Sequence, residues 1–263
     1  YNAGVSLNNR TKKTNLNISY NFREETRRSS GFSTRQNFVT FLNPFEDSES
    51  EGRNQNFNNS FRSSLDINLS NNTTLGFSGG YSEKNEGKYE LNNTAYIDST
   101  SNDAGGFYRT TNSTGENKNM EGGVDIRHII PGTKREWSAS ANYSNSRNND
   151  DDNYLTADSA FKYSTLNRDG KFSTFVVQTD YTHPINQNSK FETGAKGTYR
   201  TNDNNQVGLT RDGFDIANTD HFIYQDEITA AYVQFAGRAP ALFKKEKFVE
   251  LQGGIRIDRK STR

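Results

Sequence analysis

The residues best suited to chemistry are a serine in a glycine-rich segment and two histidines beside turns. Gly76-Phe77-Ser78-Gly79-Gly80 matches the pattern that presents a serine nucleophile on a sharp turn between a strand and a helix. The residues around it alternate as in a strand, which would leave Ser78 as a hydroxyl lining a polar face. His128 and His183 each come just before a turn that contains proline, where packing is the expected role. We therefore expect no enzyme activity from these positions.

Two runs of carboxylates raise the question of a metal site. They are Glu46-Asp47 with Glu49 and Glu51, and Asp150-Asp151-Asp152. Hard cations such as Ca²⁺ prefer oxygen ligands of this kind. The first run lacks the closing Glu that the spacing of a calcium-binding loop requires. No metal and no other cofactor is predicted, and the runs are expected to lie in solvated loops.

Other residues in the polar stretches are of types that contact ligands. His221, preceded by Asp220, stands near the end of the last long polar stretch. The aromatic residues in such stretches are Phe41, Phe45, Phe107 and Tyr108. For these rings we expect packing within the stretches rather than ligand contact, so no ligand-binding residue is assigned.

Composition limits the classes of protein to which this chain can belong. Hydrophobic residues make up 30% of the 263-residue chain, and the mean hydropathy is −1.00. Aromatic residues nevertheless reach 12% and the net charge is zero, with 32 basic and 32 acidic residues, which opposes disorder. The absence of cysteine excludes disulfides and thiolate metal sites. No basic excess points to nucleic acid as a partner, and no apolar stretch approaches the roughly 20 residues of a membrane helix.

Period-two alternation is the main structural signal. Eight segments place apolar side chains on one face, without any Asp, Glu, Lys or Arg, while the other face carries Asn, Ser, Gly and charged residues. The apolar positions are Leu16, Ile18, Tyr20, Phe22; Phe61, Leu65, Ile67, Leu69; Leu75, Phe77, Gly79, Tyr81; Met120, Val124, Ile126, His128; Trp137, Ala139, Ala141, Tyr143; Phe175, Val177, Tyr181; Phe191, Ala195, Tyr199; and Val249, Leu251, Ile255, Ile257. A first segment, Ala3 to Leu7, and a ninth, Ile228 to Phe235, are less regular, and both faces of the ninth are semi-apolar, so its register is not assigned.

The connections alternate between short turns and long polar loops. Short turns are predicted near 8–13, 70–74, 131–136, 184–190 and 237–247, and long extracellular loops near 23–56, 83–117, 145–171 and 200–226. The aromatic residues Phe22, Tyr81, Tyr143 and Tyr199 precede long loops, and Trp137 and Phe191 follow short turns. Each predicted strand has one lipid-facing and one lumen-facing side, and the aromatic residues form two girdles. Together with the segregation of long loops to one end, these features predict an antiparallel, up-and-down transmembrane β-barrel. About ten strands are expected over residues 1–263, with odd strands descending from the long-loop side.

Three alternatives explain the pattern less well. A soluble β-sandwich or small soluble barrel also alternates, but its exterior would be rich in Lys and Glu, and its loops need not segregate to one end. A disordered Asn-rich chain would not repeat such a register. A stacked solenoid would not carry loops so much longer than its repeats.

Part of the chain resembles a known family. DYTHPINQNSKFETGAKGTYR (180–200) resembles a hairpin of Bacteroidota outer-membrane β-barrel proteins in the TonB-dependent-receptor superfamily. ITAAYVQFAGR (228–238), followed by FVELQGGIRID (248–258), resembles the strand–turn–strand that comes next in that family. AAYVQ and GGIRID are the best matches. The resemblance covers roughly 170–258, and the earlier strands agree only in pattern.

The resemblance implies a bacterial outer-membrane protein with a barrel of about 22 strands. Such barrels are plugged from the N-terminal side, energised through TonB, and take up siderophores, glycans or peptides. Outer-membrane lipid and lipopolysaccharide would surround the barrel. This sequence shows no TonB box, plug domain, aromatic-ended last strand or signal peptide, so we expect a mature fragment of a larger wall. Unpaired first and last strands would otherwise be costly edges in lipid.

Two further functions remain open at this stage. The barrel could anchor a non-transporting surface or assembly protein. Ten-stranded outer-membrane proteases use Asp and His at the outer rim of the barrel, and Asp220 with His221 would be the candidate pair in this sequence. The favoured hypothesis is a component of a ligand-uptake transporter that is not an enzyme.

Overall fold

The computed structural model of the chain describes residues 1–36, 45–98, 103–157, 161–240 and 248–262. These residues form eleven strands and one 3-10 turn. The strands are β1 (Asn2–Arg10), β2 (Thr14–Gln36), β3 (Phe45–Ser70), β4 (Thr73–Ile97), β5 (Asp103–Ile129), β6 (Glu136–Ala157), β7 (Phe161–Asn186), β8 (Ser189–Thr210), β9 (Gly213–Phe214), β10 (Asp220–Pro240) and β11 (Phe248–Thr262), and the 3-10 turn is Ile216–Asn218. No helix in these ranges is long and apolar enough to cross a membrane.

The strands make one antiparallel sheet in which chain neighbours are sheet neighbours. The order is β1-β2-β3-β4-β5-β6-β7-β8-β10-β11, and the two-residue β9 pairs with the end of β8. This confirms the predicted all-β, up-and-down architecture. Within the described ranges, β1 pairs only with β2, and β11 pairs only with β10. The two outer strands therefore each present one edge without a partner strand.

Four connections are tight and lie at or next to the ranges expected for short turns. They span residues 11–13, 71–72, 130–135 and 187–188. In the first, Thr11 Oγ1 accepts hydrogen bonds from the backbone N–H groups of Lys13 and Thr14. In the third, Gly132 has φ 72°, a conformation that favours glycine. The fifth predicted turn, 237–247, lies mostly outside the described residues.

The strands are much longer than the alternating segments, which corrects the prediction of long loops. β2 continues to Gln36 and β3 begins at Phe45, so most of the stretch 23–56 is paired strand. The stretches 83–117, 145–171 and 200–226 are also mostly strand. Backbone pairing needs no apolar face, so strands continue where both faces are polar and the period-two signal is lost.

The two faces of the sheet differ sharply near the short turns. Large apolar side chains on one face, which we call the outward face, are exposed, with Val124 at 39% and Tyr143 at 42%. The opposite, inward face lines a cavity of about 530 Å³ that collects residues from β1 (Ser6) to β7 (Thr174). Because one cavity gathers side chains from so many strands, the sheet is concave on its polar side. Ala230 is the only buried hydrophobic residue among those described.

Cross-strand register places the aromatic residues in rows on the outward face. Tyr143 pairs with Phe175, which pairs with Tyr199. Nearer the short turns, Trp137 pairs with Tyr181. The row of Tyr143, Phe175 and Tyr199 lies within the long strands rather than at their ends, so the strands extend well past this aromatic level. We call the part between the two aromatic levels the membrane part, and the remainder the upper part.

The register that the sequence left open in the ninth segment is set by pairing to β8. Ala231 pairs with Ala195 and Val233 with Thr193, which places these β10 residues on the outward face. Ile228, Ala230 and Tyr232 then face inward. Ala230 is 6% exposed, so the inward apolar positions of β10 are covered by their neighbours rather than by lipid.

Candidate functional site

The inward face carries ionised side chains at the upper border of the membrane part of the sheet. Arg62 of β3 and Glu121 of β5 approach each other across β4, with Nε and Oε1 3.9 Å apart. Gly80 lies between them in register with both. A Cβ on Gly80 would lie 2.7 Å from Glu121 Oε1, so the bare backbone is what lets the carboxylate lie across β4.

The same cross-strand row continues along the sheet to a second set of charges. From Glu121 it passes through Ser144 and Thr174 to Arg200 and Asp226. Asp226 is 3% exposed, and its Oδ1 accepts no hydrogen bond within the described part of the chain. Lys260 Nζ lies 3.5 Å from Asp226 Oδ2. One row of the concave face therefore carries acidic and basic groups from β3 to β10, and Lys260 of β11, which is in register with Ile228, approaches it from the next inward row.

A third pair crosses a glycine closer to the short turns. The Tyr232 hydroxyl donates to Asp180 Oδ1 over a distance of 2.6 Å. Gly194 of β8 pairs with both residues, and a Cβ there would lie 2.6 Å from Tyr232 Cε1. Asp125 covers Gly76 in the same manner. Glycine on the inward face thus recurs where a neighbouring side chain lies flat on the sheet.

A denser polar cluster lies on the inward face of the upper part. Asp152 is 8% exposed; it accepts hydrogen bonds from Arg168 Nη2 at 2.6 Å and from the Tyr154 hydroxyl at 3.2 Å. The guanidinium of Arg109 lies 4.8 Å from the centre of the Tyr154 ring. Burial, followed by the charge of Asp152, raises the pKa of the Tyr154 hydroxyl. Tyr154 therefore stays a neutral hydrogen-bond donor at physiological pH.

Charged residues of β4 continue this inward surface. Lys84 Nζ donates to Glu86 Oε2 at 2.8 Å, and Asn54 Nδ2 donates to Glu86 Oε1 at 2.9 Å. These hydrogen bonds, that of Lys84 first, lower the pKa of the Glu86 carboxyl. The Oδ1 atom of Asn54 is buried and accepts no hydrogen bond among the described residues. The surface is ionised, polar and partly unpaired, which suits contact with polar solutes or with another polar protein surface.

The predicted serine lies in this surface without the geometry of a nucleophile. Ser78 lines the cavity and stands within the continuous strand β4. Its register partners are Ser64 and Gly123, neither of which is a base. The strand-to-helix turn that the motif requires is therefore not formed at this segment.

Each of the three histidines has a local partner. His128 Nδ1 lies 2.8 Å from Thr73 Oγ1, and His183 Nδ1 lies 3.3 Å from the Tyr181 hydroxyl. His221 Nε2 lies 2.9 Å from Asp203 Oδ1. Asp220 and His221 are consecutive in β10, so their side chains project to opposite faces. They do not form the pair that a rim protease would need.

The acidic runs are also split by strand geometry. Asp152 faces inward while Asp151 faces outward, and the run that begins at Glu46 lies in β3 with the same alternation. Within the described ranges, no three His, Cys, Asp or Glu residues are placed to hold a metal ion. Of the aromatic residues, Phe107 packs against Tyr96 with ring centres 6.3 Å apart. Phe41 lies outside the described residues.

The ion pairs and hydrogen bonds of the concave face were not identified by sequence reasoning. Arg62, Glu121, Asp180 and Asp152 are ordinary polar-face residues in the alternating pattern. The available signal was the glycines at polar-face positions, but pairing a glycine with the charged residue beside it on the neighbouring strand requires the register.

A concave, charged inner face opposite an exposed apolar face with aromatic rows defines the wall of a transmembrane β-barrel. The family model for the outer membrane protein beta-barrel family matches residues 128–262, about half of the chain. The chain belongs to this family and is located in the bacterial outer membrane. No curated protein and no solved structure gives a significant match.

Proposed function

We propose that the chain forms part of the wall of an outer-membrane ligand-uptake transporter of the TonB-dependent kind. The observation that carries the proposal is the set of charged residues on the inward face between the two aromatic levels, Asp125, Asp180 and Lys196, with the Arg62–Glu121 pair at their upper border. Charged side chains at this depth are tolerated where they face water or protein. The inward face therefore encloses a polar lumen.

A lumen that holds a plug needs complementary polar groups on its wall. The cavity wall supplies hydroxyl and amide side chains, among them Ser64, Ser78 and Asn142, beside the Arg62–Glu121 pair. Such groups exchange hydrogen bonds with a folded plug or with a passing solute. The unpaired edges of β1 and β11 are the places where further strands of a barrel of about 22 would continue the wall.

The test is uptake by cells that carry the intact gene. The gene is disrupted in its native host, and uptake of ferric siderophores, oligosaccharides and short peptides is measured with and without a protonophore. We expect one of these classes to lose its energy-dependent uptake and to regain it on complementation. If uptake of every class is unchanged, the transporter proposal is wrong.

Charge-reversal variants test whether uptake depends on the charged residues of the concave face. Arg62→Glu should reduce uptake because it places two acidic groups side by side above Gly80. The double variant, Arg62→Glu with Glu121→Arg, should recover much of the loss. An equal defect in the single and double variants would show that the pair has no role in the lumen.

A non-transporting surface or assembly function has one observation in its favour. β5 contains 27 residues, whereas a strand crosses a bilayer with about 9–11. Much of the sheet therefore stands outside the membrane, where a surface function would reside. Normal uptake together with loss of an adhesion or assembly phenotype in the disrupted strain would support this function instead.

A further inference from the structure

Three cations stand side by side on the outward face, just beyond the membrane part. Lys118 of β5 pairs in register with Arg147 of β6, which pairs with Lys171 of β7. We call these three residues the cation row. In each strand the row lies two to four residues beyond the outward residues Met120, Tyr143 and Phe175, which are exposed at 52%, 42% and 44%. The cations therefore lie in the layer of lipid headgroups, beyond the aromatic level that borders the hydrocarbon.

Like charges directly opposite each other on adjacent strands are unfavourable. The acidic partners relieve this only in part, because Glu116 and Asp169 lie on the side away from the membrane. Lys118 Nζ is 2.6 Å from Glu116 Oε1, and Arg147 Nη2 is 3.3 Å from Asp169 Oδ2. The three basic side chains are 40–53% exposed, so these pairs are weak and can exchange partners. The membrane-facing side of the row remains open to an anion.

The remaining charged groups of this level lie at its two ends. Glu83 is in register with Lys118, with 3.8 Å between Oε1 and Nζ. Asp203 is in register with Lys171 and bonds to His221. The cation row itself, on β5 to β7, is therefore the most basic part of this level of the outward face.

A shallow pocket of about 330 Å³ adjoins the cation row on the side away from the membrane. Two rows of outward side chains across β3 to β6 form it: Phe57, Asn85, Glu116, Asn149, and then Gln55, Gly87, Thr114, Asp151. No atom lies within 4 Å of a Cβ built on Gly87, so this glycine opens the floor of the pocket. Asp151 Oδ1 is buried and accepts no hydrogen bond in the described part of the chain.

The pocket offers the groups that recognise sugars. Amides and hydroxyls donate to and accept from sugar hydroxyls, carboxylates accept from them, and the ring of Phe57 offers an apolar surface to the C–H face of a sugar. The order along the strand is apolar residues, cations, then sugar-type groups. A phosphorylated glycolipid of the outer leaflet has its acyl chains, phosphate and saccharide in the same order.

We propose that this outward surface is a binding site for a phosphorylated glycolipid of the outer leaflet. The cation row takes the phosphate, with the Arg147 guanidinium as the bidentate donor, and the pocket takes the first sugars. The proposal rests on the outward face meeting lipid and does not depend on transport. Lost glycolipid binding with normal uptake, or the reverse, separates the two proposals.

The test is binding of purified full-length protein to three lipids in detergent, followed by native mass spectrometry. The lipids are bis-phosphorylated lipid A, the same lipid A after dephosphorylation, and phosphatidylglycerol. We expect the triple variant Lys118→Gln, Arg147→Gln, Lys171→Gln to bind lipid A at least about tenfold more weakly. The matched control, Lys12→Gln, Lys13→Gln, Lys134→Gln, removes the same charge at the short-turn side and should bind as the parent does. Equal binding by both triple variants would overturn the site.

The pocket has its own variant. Gly87→Leu fills the open floor, and it should weaken binding of lipid A severalfold while leaving phosphatidylglycerol unaffected. An unchanged affinity for lipid A, or equal affinity of the parent for all three lipids, would contradict glycolipid recognition. Each variant is first checked for the shift in gel mobility on heating that a folded barrel shows. If the triple variant does not fold, Arg147→Gln alone is measured, and wild-type affinity in that variant also counts against the site.

Discussion

The membrane part and the upper part of the same strands differ on one face only. In β5, Val124 and Ile126 project outward in the membrane part, and Thr114 and Glu116 project outward in the upper part. Backbone pairing with β4 and β6 runs through both parts without interruption, apart from one register shift next to Ile97. The comparison shows that backbone pairing is the same in both parts. The outward side chains differ because the outward face meets lipid in the membrane part and water in the upper part.

The two parts also differ in what stabilises them. In the membrane part, the outward apolar side chains gain from contact with lipid. In the upper part, ion pairs such as Lys118–Glu116 are half-exposed, and pairs of this kind contribute little to stability. The upper sheet therefore depends on backbone hydrogen bonds that continue from the membrane part, and local opening should begin at its far end.

The largest expected difference in stability between the two parts follows from introducing an arginine on the outward face of each part. Val124→Arg puts a charge on the lipid face and should cost about 2–4 kcal/mol near the bilayer midplane. Thr114→Arg, on the same face of the same strand but in the upper part, should change stability by less than about 0.5 kcal/mol. Reversible urea unfolding in lipid vesicles measures both.

A neighbouring control separates the faces within the membrane part. Asp125→Ala removes an inward charge next to Val124 and should cost far less than Val124→Arg. If Val124→Arg and Asp125→Ala are equally mild, the assignment of the lipid face is wrong.

The second prediction concerns the inward face of the membrane part. Gly194→Val adds atoms where a Cβ would already lie 2.6 Å from Tyr232 Cε1, and should cost about 1–3 kcal/mol through displacement of the Tyr232–Asp180 pair. Gly197→Ala in the same strand meets no atom within 4 Å and should be nearly neutral. The midpoint of unfolding in vesicles reports both changes, and equal midpoints would show that Gly194 is not required by its neighbours.

The smallest effect is a pH response confined to the upper part. The folded pKa of Glu86 is lowered below 4.5 by hydrogen bonds from Lys84 and Asn54. Its contribution to stability is therefore present above that value and is lost as the pH falls through the lower, folded pKa. The protection factors of the amides near Glu86, which are corrected for the slower intrinsic exchange in acid, should fall at acidic pH, and the Glu86→Gln variant should show less of this change. Identical pH profiles in the two proteins would remove Glu86 as the cause.

The sequence predicted the membrane part well because its outward face must be apolar. Leu16, Ile18 and Tyr20 alternate with polar residues, and this pattern fixed the strands and the facing of their side chains. The family match over 128–262 supports the same architecture. The upper strands were predicted as loops because residues such as Asn54 and Glu86 face water or polar neighbours. The alternation of apolar and polar residues that identifies a strand is therefore absent there.

The site was the least predictable part, for a geometric reason. Glu121 and Arg62 are separated by one strand, and Tyr232 and Asp180 are 52 residues apart in the chain. Their proximity follows from register and from a glycine in the intervening strand. Alternation fixes which face a residue occupies, but it does not fix which residue of the next strand lies beside it.

The presence of a single buried hydrophobic residue, Ala230, among those described has a consequence for how the protein reaches its membrane. A chain with mean hydropathy −1.00, whose described residues form almost no apolar interior, has little drive to collapse before it meets lipid. Its unfolded form can cross an aqueous compartment without the long apolar stretches that promote aggregation. The lipid bilayer then supplies, from outside, the apolar environment that a soluble protein carries inside itself.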